Sequence, residues 1–359
     1  MPNQLFFTPG PSQLYHTVPQ HLKNAIKENI GSISHRDKTF QLLFQEMKER
    51  LKDVLKIPTD YEIFITSSAT EVWERIVQNL ITERSHHFVN GSFSQRFFEF
   101  TQDYQLKSSF TNAGFGNEFS HFDVPYHAEL IAVTQNETSI GYTFDPRQLE
   151  TLRSSYPEKL IAIDLVSAVP GIQVDLTQVD TAYFSVQKCF GLPAGMGIWI
   201  VNSKCIETSK LKASHGHIIG SYHALSVLKS HGDKNQTPET PNILSLYLLT
   251  KVLKDMQLKG ISNIQNETKY KAAVLYQTFE KIAQLNPFVE TAINRSKTVC
   301  VAEVLDGNNG LIEYLGSKNF IIGTGYGAYR NNHIRIANFP THSKEEIEQL
   351  VDYIEHYYK

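Results

Sequence analysis

Leu160-Ile161-Ala162-Ile163-Asp164 and Thr181-Ala182-Tyr183-Phe184-Ser185-Val186-Gln187-Lys188 decide how this chain is read. Each is a run of mostly apolar residues that ends in a charge. A strand apolar at nearly every position is buried on both faces. Outward from these two runs the pattern repeats. Residues 61–66, 87–89, 130–134 and 197–201 read as further strands, and 69–80, 94–104 and 145–154 as helices between them, the last opened by an aspartate cap at Asp145. This alternation predicts an α/β fold built on a mainly parallel sheet with helices on both faces. Ligands of such sheets bind beyond the carboxyl ends of the strands, and Asp164 and Lys188 stand there.

Toward the N-terminus, Thr8-Pro9-Gly10-Pro11-Ser12 reads as a turn. Leu43, Phe44, Met47, Leu51, Val54 and Leu55 recur at helical spacing over 38–56, before Pro58. Toward the C-terminus the character changes near residue 242. Residues 242–259 and 261–285 read as long helices broken at Gly260. Strands at 298–305 and 333–337 then mix with helices at 309–316 and 343–358, and Ser343-Lys344-Glu345-Glu346 is a capping-box start for the last. The expected organisation is a large unit over 13–255 and a smaller α+β unit over 256–359, joined by residues 1–12 with a strand around 5–7.

The 359 residues carry 34 Lys and Arg against 37 Asp and Glu, a formal charge of −3, with 41% hydrophobic and 20% charged residues. That composition belongs to an ordered globular chain and excludes disorder as the main state. A pI near 6.5 and the lack of a basic run argue against nucleic acid. No apolar stretch approaches the length of a membrane span, and MPNQLFFTPGPSQ lacks the layout of a signal peptide. Cys189, Cys205 and Cys300 are too scattered for a disulfide framework or zinc site. A reducing, cytoplasmic setting is expected, so sequons such as those at Asn136, Asn266 and Asn294 carry no meaning. The histidines show no ligand spacing, and no metal is expected.

Three places carry chemistry. Thr66-Ser67-Ser68-Ala69-Thr70-Glu71 puts small hydroxyl residues between a strand end and a helix start, where free N–H groups and the helix dipole favour an anion; the plain alternative is a serine N-cap. Asp164 offers an acceptor-only carboxylate for a cationic nitrogen, a metal or a histidine, or is a loop cap. Lys188, followed by Gly191-Leu192-Pro193-Ala194-Gly195, is a candidate for a Schiff base, or a solvated loop lysine. Gly323-Thr324-Gly325-Tyr326-Gly327-Ala328 fits a dinucleotide pattern, but too little chain follows for a nucleotide-binding unit, so it reads as a glycine-rich loop.

In this order the motifs resemble the class V, fold-type I enzymes that use pyridoxal 5'-phosphate, and among these the phosphoserine aminotransferases. The likeness runs from Pro9-Gly10-Pro11 to Pro340. It implies that Lys188 forms the Schiff base and exchanges proton with the substrate, and that Asp164 faces the pyridine nitrogen. It further implies a phosphate cradle at Ser68, Ala69 and Thr70 with Gln187, a stacking ring at Phe93 in Asn90-Gly91-Ser92-Phe93-Ser94-Gln95-Arg96, and a cofactor hydroxyl contact at Thr138 of Asn136-Glu137-Thr138. Gln236 and Thr237, in Asn235-Gln236-Thr237-Pro238-Glu239-Thr240-Pro241, are implied to reach a neighbouring subunit's phosphate, making a homodimer with shared sites. Arg335 matches the α-carboxylate arginine, while His35, Arg36 and Arg330 are the candidates for a substrate phosphate.

The implied reaction is transamination between a small amino acid and an oxo acid, phosphoserine and 2-oxoglutarate in serine biosynthesis. The alternatives are an alanine–glyoxylate or serine–pyruvate type and, further off, a class V lyase or cysteine desulfurase. The chain departs from the phosphoserine pattern at three places. Ser67-Ser68 stands for a glycine-rich turn, Phe93 for a tryptophan, and Tyr329-Arg330 for a His-Arg pair.

Overall fold

The computed structural model describes residues 4–359; of the expected N-terminal stretch 1–12, residues 1–3 lie outside the description. A seven-stranded sheet runs in the order Glu62–Thr66, Gly197–Val201, Thr181–Ser185, Leu160–Asp164, Leu130–Thr134, Ser85–Val89 and Ser109–Asn112. Gly197–Val201 is antiparallel to both of its neighbours, and every other pairing in this sheet is parallel. The expected mainly parallel α/β sheet is therefore present, with one reversed strand.

Alternation along the strands explains the two covered faces. Ile63, Ile65, Ile131, Val133, Ile161, Ile163, Phe184 and Ile198 point into one core with Phe44, Met47 and Leu51 of the Lys38–Leu55 helix. Their neighbours Phe64, Leu130, Ala132, Leu160, Tyr183 and Trp199 point the other way, against Val72, Trp73 and Ile76 of the Ala69–Leu80 helix. Successive side chains of a strand face opposite sides, so a run apolar at every position serves two cores.

The second sheet has the order Leu5–Phe7, Phe320–Thr324, His333–Ala337, Val299–Val304, Leu285–Pro287. Its N-terminal strand pairs in parallel with Phe320–Thr324, and the rest is antiparallel. Two long helices link the cores. Ile243–Lys259 buries Leu246, Leu249 and Leu253 in the first, and Ile261–Lys281 buries Leu275 and Phe279 against the second sheet. Gly260 breaks them at φ +86, in the left-handed region.

Two expectations change. The second long helix ends at Lys281 instead of 285, because Leu285–Pro287 is an edge strand beside Val299–Val304; Pro287 fits an edge, where a donor is dispensable. Gly323 and Thr324, expected in a loop, end the strand Phe320–Thr324. There Gly323 leaves room for Pro9, whose Cδ would lie 2.7 Å from an added Cβ.

Candidate active site

The register brings the charged strand ends to one edge. Thr134 pairs with Asp164, and Asp164 with Tyr183, so Asp164 and the loop carrying Lys188 leave adjacent strands on the same side. They border a cavity of about 520 Å³, within the size range of small-molecule sites. Its lining combines Ala69, Thr70 and Trp73 from one helix start, Phe93 from another, Asn136 and Thr138, and Asp164 and Val166. Ser185, Gln187 and Lys188 come from the lysine loop, Thr8–Gly10 from the N-terminal turn, and Ile322–Thr324, Tyr326 and Arg335 from the second sheet.

Lys188 is buried, and its Nζ donates to the Thr138 hydroxyl at 3.1 Å and lies 5.1 Å from the centre of the Phe93 ring. Burial pulls its pKa down to about 8, against the opposing pull of Asp164. Asp164 is pushed the other way, up to about 7, by burial, with the Val166 N–H bond (2.8 Å) and Lys188 resisting. Among the described residues Val166 N–H is the only hydrogen-bond partner of that carboxylate, so its other oxygen is available to a cationic nitrogen. Gly10 makes the lysine's channel. It has φ +134, and a Cβ there would stand 2.8 Å from Lys188 Cε.

The Asn136-Glu137-Thr138 run acts through all three side chains. Asn136 Nδ2 donates to Ser167 C=O and Ser296 Oγ, each at 3.1 Å. Thr138 Oγ1 donates to Ser167 Oγ at 2.8 Å. Glu137 accepts from the Phe93 and Ser94 N–H groups (3.2 and 2.8 Å) and from the Ser94 and Ser139 hydroxyls (2.9 and 2.7 Å). A carboxylate at the start of Ser92–Asp103 satisfies helix-end donors and so fixes the backbone of Phe93. Gly91 gives Glu137 its space, since a Cβ would fall 2.2 Å from Glu137 Cγ.

At the expected anion cradle, Ser68 has the plain alternative role, that of a helix cap. Ser68 is the N-cap of Ala69–Leu80, its hydroxyl accepting from Glu71 N–H at 3.1 Å, and it does not line the cavity. The Ala69 N–H is engaged by the buried Ser185 hydroxyl at 2.8 Å. Thr70, Ser185 and Gln187 are the polar groups that face the cavity on this side. Trp73, Ser185 and Tyr326 escaped the sequence reading. Trp73 donates to the Tyr183 hydroxyl 110 positions away (2.8 Å), and no local pattern announces such a pairing.

Arg335 projects from His333–Ala337 into the cavity. Its Nε donates to Thr324 C=O at 2.7 Å, and its guanidinium lies 5.3 Å from the Tyr326 ring centre. Burial lowers its pKa to about 10, which leaves it charged at neutral pH. The remaining candidates are not brought there. His35, Arg36, Gln236 and Thr237 cluster elsewhere, joined by Arg36, and Arg330 is exposed at the end of Gly327–Tyr329, outside the lining. The three cysteines are buried and unpaired. Burial raises Cys189 and Cys300 to about 12, which makes them poor sulfur nucleophiles.

A buried lysine beside a half-satisfied carboxylate, an aromatic wall and a polar anion corner fit pyridoxal phosphate, whose ring nitrogen, ring face and phosphate need those three features. The comparisons agree. Residues 123–339 match the family model described as Aminotransferase class-V. A solved phosphoserine aminotransferase from Cytophaga hutchinsonii is 41% identical, with 99% of each chain covered and a TM-score of 0.97. A phosphoserine aminotransferase of Corynebacterium glutamicum is 27% identical over 96% of this chain and 92% of that one. A solved alanine–glyoxylate aminotransferase from Nostoc shares the fold, with a TM-score of 0.86 at 21% identity, over 100% of this chain and 96% of that one. The chain belongs to the class V aminotransferases, enzymes of the fold-type I architecture, and its cofactor is pyridoxal phosphate.

Proposed function

We propose that this enzyme transfers the amino group of L-phosphoserine to 2-oxoglutarate, a step of serine biosynthesis in the cytoplasm. The observation that carries the reading is the 41% identity, across 99% of both chains, to a phosphoserine aminotransferase. The site supplies the chemistry. Bound there, pyridoxal phosphate provides a ring that accepts the electrons released when the substrate Cα–H bond breaks. Asp164, with one carboxylate oxygen unpartnered among the described residues, would hold a proton on the ring nitrogen. Lys188, with its lowered pKa, can hold Nζ neutral long enough to take the Cα proton and return it to the neighbouring carbon, as base and then acid. Arg335 presents a planar fork for the substrate carboxylate. Phe93 walls one side, while Thr138 orients Nζ.

Lys188 and Arg335 are the cations among the lining residues. One is engaged in chemistry and the other suits a carboxylate, so a second anionic group on the substrate calls for further positive charge. His35 and Arg36, presented by a neighbouring copy together with Gln236 and Thr237, would supply it, with Arg330 at the outer loop. Two copies would then share each site. An absorbance spectrum of purified protein tests the reading. A visible band that bleaches on adding L-phosphoserine, but not L-alanine or L-serine, is the expected result, and Lys188→Ala should lose both band and turnover. Bleaching by alanine or serine alone would move the enzyme to the glyoxylate or pyruvate type.

A further inference from the structure

Arg36 lies away from its own chain's cavity, and its guanidinium is already engaged. One terminal nitrogen donates to Thr237 C=O at 2.9 Å and Gln236 Oε1 at 3.1 Å, and stands 3.3 Å from His231 Nδ1. The other donates to Pro238 C=O at 3.2 Å. Next to it, His35 Nδ1 lies 3.2 Å from the Thr240 hydroxyl. Nε of Arg36 has no hydrogen-bond partner among the described residues, which leaves part of the fork open.

The segment it holds has little structure of its own. Residues 236–242 belong to no helix or strand. Asn235 sits at φ +51. Pro238 and Pro241 have no N–H to donate. The Thr237 hydroxyl closes on Glu239 C=O at 2.7 Å, and the Gln236 N–H reaches back to His231 C=O at 3.0 Å. Backbone carbonyls need partners, and Arg36 supplies two of them from a loop 201 positions away in sequence.

We propose that Arg36 is a positioning residue: it pins the 236–238 strap within its own chain and thereby sets how tightly the adjoining copy retains its cofactor. The second half rests on the reading of that strap as part of a shared site. A lysine cannot replace it, because an ammonium is a compact point charge without the planar fork that spans two carbonyls.

The test compares wild-type holoenzyme with Arg36→Lys and Arg36→Ala. Backbone hydrogen exchange is followed over residues 231–242, and pyridoxal phosphate is titrated into the cofactor-free form of each. Loss of charge-assisted bonds should speed exchange there by about ten-fold or more. The cofactor dissociation constant should rise about five- to ten-fold, equally in the lysine and alanine variants, on the scale of one lost hydrogen bond. Unchanged exchange in both variants overturns the proposal, as does restoration of wild-type affinity by lysine, which would mark Arg36 as a point charge. Faster exchange with unchanged cofactor affinity overturns the link to the neighbouring site. A wild-type enzyme that ignores phosphoserine would sink the substrate assignment alone, since neither readout uses that substrate.

Discussion

Lys188 and Asp164 are legible in the sequence because each closes an apolar run, and the fold converts a strand end into a ligand edge. What the sequence does not show is their titration, which comes from burial. Free lysine keeps its proton to about 10.4, whereas burial brings Lys188 to about 8. Below that pH Nζ holds its proton and has no lone pair. The rate at which cofactor-free protein captures pyridoxal phosphate should therefore climb with pH and level off just above 8, and stopped-flow absorbance measures it. A plateau reached only near pH 10 would show that Nζ is solvated and the channel beside Gly10 open. The sign also holds for stability. Between about 8 and 10.5 the unfolded chain binds the proton that the folded site has released, so this group's contribution grows as pH rises through that window. Ser185 and Tyr326 stayed invisible for the opposite reason: their roles come from contacts with Ala69 and Arg335, set by tertiary packing.

Among elements, helices with strong periodicity and caps read well, and Ala69–Leu80, the Asp145 cap and the Ser343 capping box stand where the sequence puts them. Of the edge strands, Leu5–Phe7 and Glu62–Thr66 read well, whereas Ser109–Asn112 and Leu285–Pro287 did not. Ser109–Asn112 alternates half-buried and exposed positions, too few to separate from a loop. The most informative element is Ser92–Asp103, whose start is fixed from outside by a buried carboxylate of the Asn136–Glu137 strand. Removing Glu137 leaves the Phe93 and Ser94 N–H groups and the Ser139 hydroxyl without their acceptor, while the Ser94 hydroxyl keeps Gly91 C=O at 3.0 Å. A buried donor left unsatisfied costs about 1–3 kcal/mol. Glu137→Ala should therefore lower the unfolding free energy by roughly 2–4 kcal/mol, as read by denaturant titration. It should also weaken cofactor binding, because Phe93 loses its anchor. A variant with wild-type stability would mean that the helix start is held by Ser94 and Ser139 without the carboxylate.

At the scale of the whole molecule, the two sheets meet over the cavity. Thr8–Gly10 and Arg335 reach it from the second sheet's side, and Lys188, Asp164 and Phe93 from the first. What a single chain does not bring to that cavity is equally plain, because His35, Arg36, Gln236 and Thr237 gather around Arg36 away from the lysine. The resemblance already set Gln236 and Thr237 apart from their own chain's lysine, but not His35 and Arg36, whose place beside them depends on where the strap after Leu225–Gly232 is tied down. Two copies sharing sites would reconcile these positions, and symmetry makes the arrangement testable, because a two-fold pair exchanges equivalent elements. Lys188→Ala removes the lysine from a chain but leaves its strap intact, whereas a chain with Gln236→Ala and Thr237→Ala keeps its lysine and loses the strap's polar contacts. When the two are mixed and re-associated, half of the dimers are mixed, and each mixed dimer has one site built from intact parts. Turnover should then recover to about a quarter of the wild-type value, above what either variant gives alone. If every site were built from one chain, mixing would yield only the average of the two variants, and the shared-site reading would fail.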